Sequence, residues 1–386
     1  MIAQHIGIAG AGLLGRLLAW RLSTLGHAVT VFDPASGPLD RGRTAGWTAA
    51  GMLSPWAELE CANAHVAELG LRSLALWADV VSQLARPVDF RREGSLLLAH
   101  RSDLGAAQRL VSVLQGRMPP GHAPRALTAE QLRELEPAVH GPTHAWLLEG
   151  EGQIHTVQAM QALAEAATRG GVRWRWGQAV HDLAPGRIEG ERFDAVFDVR
   201  GVGARPVPPE RGTDHESTPE RGTDPKFTPQ ARGTDHGFTP QVRGVRGEIL
   251  WLHAPGLLLR RPLRLLHPRW RVYMVPRPDD IVVVGASEIE SEDRSPISVR
   301  TLLALLSAAH SVLPELAEAR LVHTETNLRP ALPDNLPHIE YRPGLIRING
   351  LFRHGWLIAP ALVEDALRQA DLEPAVSSVA ALEMLV

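Results

Sequence analysis

His5-Ile6-Gly7-Ile8-Ala9-Gly10-Ala11-Gly12-Leu13-Leu14-Gly15 is the stretch on which the fold turns. The apolar run His5 to Ala9 predicts a strand, and the glycines predict a tight turn. Leu13, Leu14, Leu17, Leu18, Trp20, Leu22 and Leu25 then recur at helical spacing until Gly26 stops the helix. A β-branched run from Ala28 to Phe32 follows and ends on Asp33, 21 residues beyond Gly12. In such a unit the three glycines serve different ends. Gly10 permits the turn, Gly12 lets a pyrophosphate approach the backbone, and Gly15 lets helix and strand pack closely. The helix N-terminus offers N–H groups and a positive dipole end to phosphates, and Asp33 can accept from ribose hydroxyls. This fingerprint does not choose between NAD and FAD.

Composition narrows the field. The chain has 386 residues, a length suited to two or three domains, with 44% hydrophobic and 22% charged residues. A formal charge of −3 leaves no basic surplus for a nucleic-acid backbone. No apolar run reaches the ~20 residues of a membrane-spanning helix, and the start lacks the plan of a secretory signal. The single cysteine, Cys61, excludes an internal disulfide and suits a reducing cytoplasm. Lys226 is the sole lysine, against a Lys plus Arg total of 40. Schiff-base and phosphate-loop chemistry therefore have almost nothing to use, whereas two-point arginine grips on carboxylates are well supplied.

Further along, helices are predicted over Ala64–Leu84, Asp103–Gly116, Thr128–Glu136, Thr156–Arg169, Ser298–Ser311 and Ala361–Ala370. Thr128 and Gln131 form a capping-box pair. Strands are predicted over Ser95–Ala99, Val172–Trp176, Phe193–Asp198, Glu248–Leu252, Arg271–Val275, Ile281–Val284 and Gly344–Ile348, with a loop over Asn349–Trp356. Residues 206–242 read as a disordered insertion, because Arg-Gly-Thr-Asp recurs from Arg211, Arg221 and Arg232 without an apolar face to stack. His140 and His144 have helical ligand spacing, but Gly141-Pro142 breaks the helix between them, so no metal site is expected.

The small-residue segment Arg43 to Leu53 admits three readings: a flexible loop, a close-packed helix start, or a backbone that a flat ring can approach. Gly10 to Gly15, Asp33, this segment, Arg271 to Arg277, Val283 to Ala286, Leu328 to Pro330 and Phe352 to Gly355 follow one another as they do in flavin-dependent amine and amino-acid oxidases. The chain resembles the D-amino-acid oxidase group, and within it the glycine oxidases of thiamine biosynthesis. The resemblance spans both ends and fails only over the insertion.

That resemblance implies an α/β fold: a Rossmann-like FAD domain built from discontinuous segments (1–83, 146–205, 322–386), and an α+β substrate domain with a mainly antiparallel sheet (84–145, 243–321). It implies non-covalent FAD held by Gly10, Gly12, Leu13, Leu14, Gly15 and Asp33. Thr44, Ala45, Gly46, Ala50, Gly51 and Met52 would add to these, with Val180 on the adenine side. The loop Leu351 to Leu357, with Phe352, Arg353, His354, Gly355, Trp356 and Leu357, would face the flavin. Arg329 would clamp the substrate carboxylate, Arg353 would be a second substrate-side arginine, and Tyr273 the active-site tyrosine. Without the resemblance, Arg329 in a rigid turn before Pro330 reads as a buried ion pair, and Tyr273 as a core aromatic. The implied reaction is oxidative deamination of glycine by hydride transfer to flavin N5, with oxygen as acceptor and no nucleic-acid or membrane partner. A homo-oligomer is common in the group. The alternatives are a D-amino-acid or sarcosine oxidase or dehydrogenase of the same fold, a flavin-binding interaction module, and an NAD-dependent dehydrogenase. Two departures stand out: Trp47 adds bulk and leaves the register of its segment open, and Arg271 stands where a histidine is familiar.

Overall fold

The computed structural model describes residues 2–42, 44–60, 64–118, 122–142, 144–205, 241–266 and 271–373. Arg43, Cys61 and residues 206–240 of the expected insertion lie outside them. Gln241 and Val242 are described, and Val242 is buried.

The opening unit is β1 (His5–Ala9), α1 (Leu13–Thr24) and β2 (Ala28–Asp33). Next come β3 (Met52–Leu53), α2 (Pro55–Glu58), α3 (Ala64–Gln83), β4 (Phe90–Arg91) and β5 (Ser95–Ala99), followed by α4 (Leu104–Arg117), β6 (Arg125–Leu127), α5 (Ala129–Leu135), β7 (His144–Leu148) and β8 (Gly152–Ile154). The chain continues through α6 (Thr156–Arg169), β9 (Arg173–Trp176), the small strands β10 (Leu183–Ala184), β11 (Arg187–Ile188) and β12 (Glu191–Arg192), and β13 (Ala195–Asp198). The last part holds β14 (Arg243–His253), β15 (Leu263–Leu266), β16 (Arg271–Arg277), β17 (Ile281–Gly285), α7 (Val299–His310), β18 (Arg320–Ala331), β19 (His338–Arg342), β20 (Leu345–Asn349) and α8 (Gly355–Gln369).

Two large sheets organise these elements. The first has the order β19-β20-β13-β1-β2-β9 and is parallel except for the β19–β20 pair. Its central strands are apolar on both faces, as a covered parallel sheet requires. Residues of α1, α3, α6 and α8 share one buried cluster with it, including Leu17, Leu18, Trp77, Met160 and Leu362. The second sheet has the order β18-β14-β17-β16-β15-β5-β7-β6; only the β15–β5 pair is parallel. Its core includes Leu250, Val272, Val284 and, from α7, Leu305 and Ala309. β7 and β18 belong to this second sheet, and they run across the seams expected at 145/146 and 321/322.

Three local expectations change. Arg329 lies in the long strand β18, paired with Val245 of β14, rather than in a turn; Pro330 is tolerated because β18 is an edge strand. β14 begins at Arg243, five residues before its expected start. The last helix starts at Gly355, so Trp356 and Leu357 form its first turn and Pro360 lies inside it. An interior proline lacks the N–H that the carbonyl four residues back would accept. Here that carbonyl, on Trp356, accepts from the Trp77 indole at 2.7 Å, and the Ala361 N–H finds Ser73 Oγ at 3.1 Å. Side chains of α3 thus replace the bonds that proline removes.

Candidate active site

A cleft of about 2640 Å³ runs along the carboxyl ends of β1, β2 and β13 and on beneath β14, β16 and β18. This is the crevice position at which open parallel sheets bind ligands, beside a strand whose two neighbours connect in opposite directions.

At its first end the glycine turn is built as expected. Gly10 has φ +106, and a Cβ on Gly15 would collide with the Gly10 carbonyl. Gly15 therefore serves helix packing and does not line the cleft, whereas Gly10, Gly12, Leu13 and Leu14 do. No side chain caps α1, so the N–H groups of its first turn face the cleft end without an intrahelical partner. Asp33 accepts from the Ala11 N–H at 2.6 Å and from the Ala35 N–H at 2.8 Å, pinning the turn while each oxygen keeps further acceptor capacity. Val180 lines the same end, with its carbonyl taken by Arg200 at 2.8 Å.

Arg16, absent from the sequence expectations, braces this region from behind. It donates to the carbonyls of Ala11, Met160 and Pro38 at 2.8, 2.8 and 2.9 Å. Burial lowers its pKa to about 10 against the opposing pull of Asp33. Its guanidinium lies 5.1 Å from the Trp47 ring centre. Trp47 is buried there and is missing from the cleft wall, which takes Thr44, Ala45 and Gly46, then Thr48 through Met52. The extra bulk turns inward, and the small residues on either side keep their place.

A second uncapped helix end meets the cleft. The chain enters α8 through Phe352, at φ +47, whose N–H donates to the Pro330 carbonyl at 2.8 Å. Phe352, Arg353, His354, Gly355, Trp356 and Leu357 all line the cleft. The Trp356 indole donates to the Gly46 carbonyl at 2.9 Å, tying α8 to the small-residue segment.

Arg329 and Tyr273 face each other across the far end. The Arg329 guanidinium rests on Gly247, where a Cβ would lie 2.5 Å from its Cζ. An isolated glycine within a strand pattern signals such an approach, so this seat was open to sequence reading. Nη1 donates to the carbonyls of Ser287 at 3.0 Å and Arg246 at 3.3 Å; among the described residues no carboxylate stands within 4.0 Å. Ser287 is fixed in turn by the buried carboxylate of Glu248, at 2.8 Å. Tyr273 lies against Gly285, and burial raises its hydroxyl pKa. Burial also lowers that of Arg329.

Glu58, at the end of α2, is the residue that sequence reading missed. It lies 2.6 Å from Arg353, 3.7 Å from Arg264 and 3.4 Å from His354 Nδ1. Burial pushes its carboxyl up, but Arg353, then His354 and Arg264, hold it down at about 2. Arg353 is thus ion-paired on the cleft wall. Burial keeps His354 down at about 4 despite Glu58, with Arg353 and Arg271 adding to the effect. Arg271 pairs with Glu60 at 3.3 Å. The short helix α2 is itself held by buried Glu151, which accepts from the Ala57 N–H at 3.0 Å and from Ser95 Oγ.

A dinucleotide suits this chemistry. Two helix N-termini without side-chain caps, an acid at the end of β2 and a backbone of small residues meet in one cleft, and a Cβ on Gly12 or Gly46 would press to 3.3 Å on the facing wall. The chain matches the model of the FAD-dependent oxidoreductase family DAO over residues 5–365. It is 33% identical over 371 residues to a Rhizobium etli protein bearing the name thiamine biosynthesis oxidoreductase ThiO, covering 95% of this chain and 96% of that one. It is 24% identical to the glycine oxidase of Geobacillus kaustophilus, over 95% and 93% of the two chains. The crystal structure of the Geobacillus kaustophilus glycine oxidase superposes with a TM-score of 0.76 at 23% identity, covering 98% of each chain. The match runs nearly end to end, and the chain belongs to the DAO family of FAD-dependent oxidoreductases.

Proposed function

We propose that the protein is a glycine oxidase that supplies thiazole formation in thiamine biosynthesis: glycine and oxygen give the imine, which feeds the thiazole, and hydrogen peroxide, and imine not so used hydrolyses with water to glyoxylate and ammonia. The observation that carries this reading is the Arg329 guanidinium, half-buried in the cleft and without a carboxylate of the described residues within 4.0 Å. A half-buried cation facing a cleft needs an anion, and an amino-acid carboxylate meets its remaining N–H groups in two-point fashion.

In this reading Gly10, Gly12, Leu13, Leu14, Asp33 and Val180 hold the adenosine diphosphate half of FAD. Thr44 to Gly46, Ala50 to Met52 and Phe352 to Leu357 hold the flavin half. Gly15 supports the turn by packing alone. When bound, FAD would supply the two-electron acceptor that the substrate Cα–H requires and the link to oxygen. Arg329 binds the carboxylate and Tyr273 hydrogen-bonds it, so the small substrate is oriented at contact distance and little else is asked of the protein. Tyr273 stays protonated at neutral pH, since burial raises its pKa, and so acts as a donor. Glu58 stays ionised between Arg353 and Arg264 and so is no proton source; it keeps Arg353 in place on the wall. A division into an FAD unit around the first sheet and a substrate unit around the second belongs to the same proposal, with β7 and β18 kept whole in the second rather than cut at 145/146 and 321/322. So do a cytoplasmic setting, which the single cysteine suits, and a homo-oligomeric state.

Peroxide release with glycine, sarcosine and D-alanine, compared as kcat/KM, tests the substrate. Glycine should be turned over at a rate comparable with the best of the three. Negligible turnover of glycine beside rapid turnover of D-alanine or sarcosine would move the protein to one of those neighbouring activities.

A further inference from the structure

Behind the small-residue segment, on the side away from the cleft, lies a cation that the reaction above does not use. Arg277 closes β16 and is 5% exposed. Its Nη2 donates to the Ala50 carbonyl, whereas Nε and Nη1 find no hydrogen-bond partner among the described residues. Among the described residues no carboxylate stands within 4.0 Å of it. Asp89, the acid that acts on it most, is paired with Arg91 at 2.9 Å. Burial brings the guanidinium pKa to about 10, so the charge persists at neutral pH. A buried charge this poorly satisfied is costly unless something nearby makes use of it.

The peptide between Ala50 and Gly51 connects Arg277 to the cleft. It is trans, so its C=O and N–H point in opposite directions. The carbonyl points to Arg277, which does not line the cleft; Ala50, Gly51 and Met52 do line it. The Gly51 N–H therefore points away from Arg277, and Gly51 itself lines the cleft. This orientation is locked: Gly51 has φ +67, its carbonyl accepts from the Ile154 N–H at 2.9 Å, and a Cβ there would collide with the Ile154 carbonyl.

We infer that Arg277 is a positioning residue that raises the reduction potential of bound FAD. It polarises the Ala50–Gly51 peptide, so that the Gly51 N–H is a stronger donor into the cleft, and it holds positive charge behind that donor. Two-electron reduction with uptake of one proton leaves one negative charge on the ring system. A fixed cation and an aligned N–H in a water-poor site favour that charge. The inference rests on FAD lying along the Thr44 to Met52 segment.

The test is the two-electron potential of the purified holoenzyme, measured by slow reduction with xanthine and xanthine oxidase against a reference dye. Native protein is compared with Arg277→Met, Arg277→Lys and Asp89→Asn. Arg277→Met should fall by about 30 mV or more, the equivalent of a tenfold shift for a two-electron couple, and Arg277→Lys should retain most of the native value. Asp89→Asn removes an anion beside the guanidinium and should move the potential upward. An Arg277→Met protein that keeps its flavin and stays within about 10 mV of native overturns the inference. If Arg277→Met does not fold, Asp89→Asn decides: a rise supports the inference, and an unchanged or lower value overturns it. Native protein purified without flavin would contradict the cofactor placement itself, a different failure.

Discussion

Arg329 carries the substrate in this account, and its surroundings say how it should respond to change. Arg329→Met removes both charge and fork, and kcat/KM for glycine should fall by 10²- to 10³-fold, about 3–4 kcal/mol, mostly through KM. Gly247→Ala should act in the same direction while leaving every charged side chain in the sequence, because the new Cβ would occupy the guanidinium's seat. Steady-state kinetics on flavin-replete protein check both; an unchanged KM in Gly247→Ala would deny that Arg329 works from this position. An acid-sensitive group on the wall of the same cleft is His354. Its folded pKa of about 4 lies below its ordinary 6.5, so the unfolded chain binds more protons between those values. The resulting stability is complete above pH 6.5 and is lost as pH falls toward 4, by up to about 3 kcal/mol. Glu58, at about 2, adds a loss of the same sign below its ordinary 4.5. Glu136, which burial raises to about 7, pulls the other way over the same range, so the test is the difference between proteins: replacing His354 with Gln should leave a Tm that falls less, or rises more, from pH 6.5 to 4 than that of the native protein. At this scale the glycine turn was readable from its residue types and their run, whereas Arg329 and Tyr273 were singled out by the family resemblance, since by themselves they read as a buried ion pair and a core aromatic. Glu58 was not, since an acid in Ala57-Glu58-Leu59 looks like any solvated one until chain folding brings Arg353 and Arg264 to it.

Helix α8 shows what a local pattern hides. Pro360 argues for a helix that starts after it, and periodicity from Ala361 onward agrees. The helix nonetheless begins at Gly355, because Trp77 and Ser73 of α3 occupy the places that proline disturbs. Those partners lie nearly three hundred residues earlier in the chain. Trp77→Phe would leave the buried Trp356 carbonyl without its donor and should cost about 1–3 kcal/mol. Denaturant titration reads that loss directly. The effect should reach the site, since Trp356 also anchors Gly46, and flavin should be released at lower denaturant than in the native protein. The opening β1–α1–β2 unit was legible almost to the residue because its contacts are local. Strand β18 was not: its twelve residues are partly polar, and only pairing along β14 reveals them as a strand.

For the whole molecule, the two sheets meet along one cleft, and sequence order conceals this. The first sheet draws strands from residues 5–33, 173–198 and 338–349, and the second from 95–148 and 243–331. No composition shift marks those exchanges, so the fold class was readable from the opening unit and the order of blocks, whereas β7 and β18 had to be seen to be placed. The cleft joins a dinucleotide turn at one end to an arginine and a tyrosine at the other, and the account requires both ends to act on one event. The visible spectrum of the purified protein, recorded without oxygen before and after glycine is added, examines both at once. The protein should be yellow, with a visible flavin absorbance that bleaches on addition of glycine and returns on admission of air, and bleaching should be weakened in Arg329→Met. A yellow protein left unchanged by millimolar glycine would contradict the proposal.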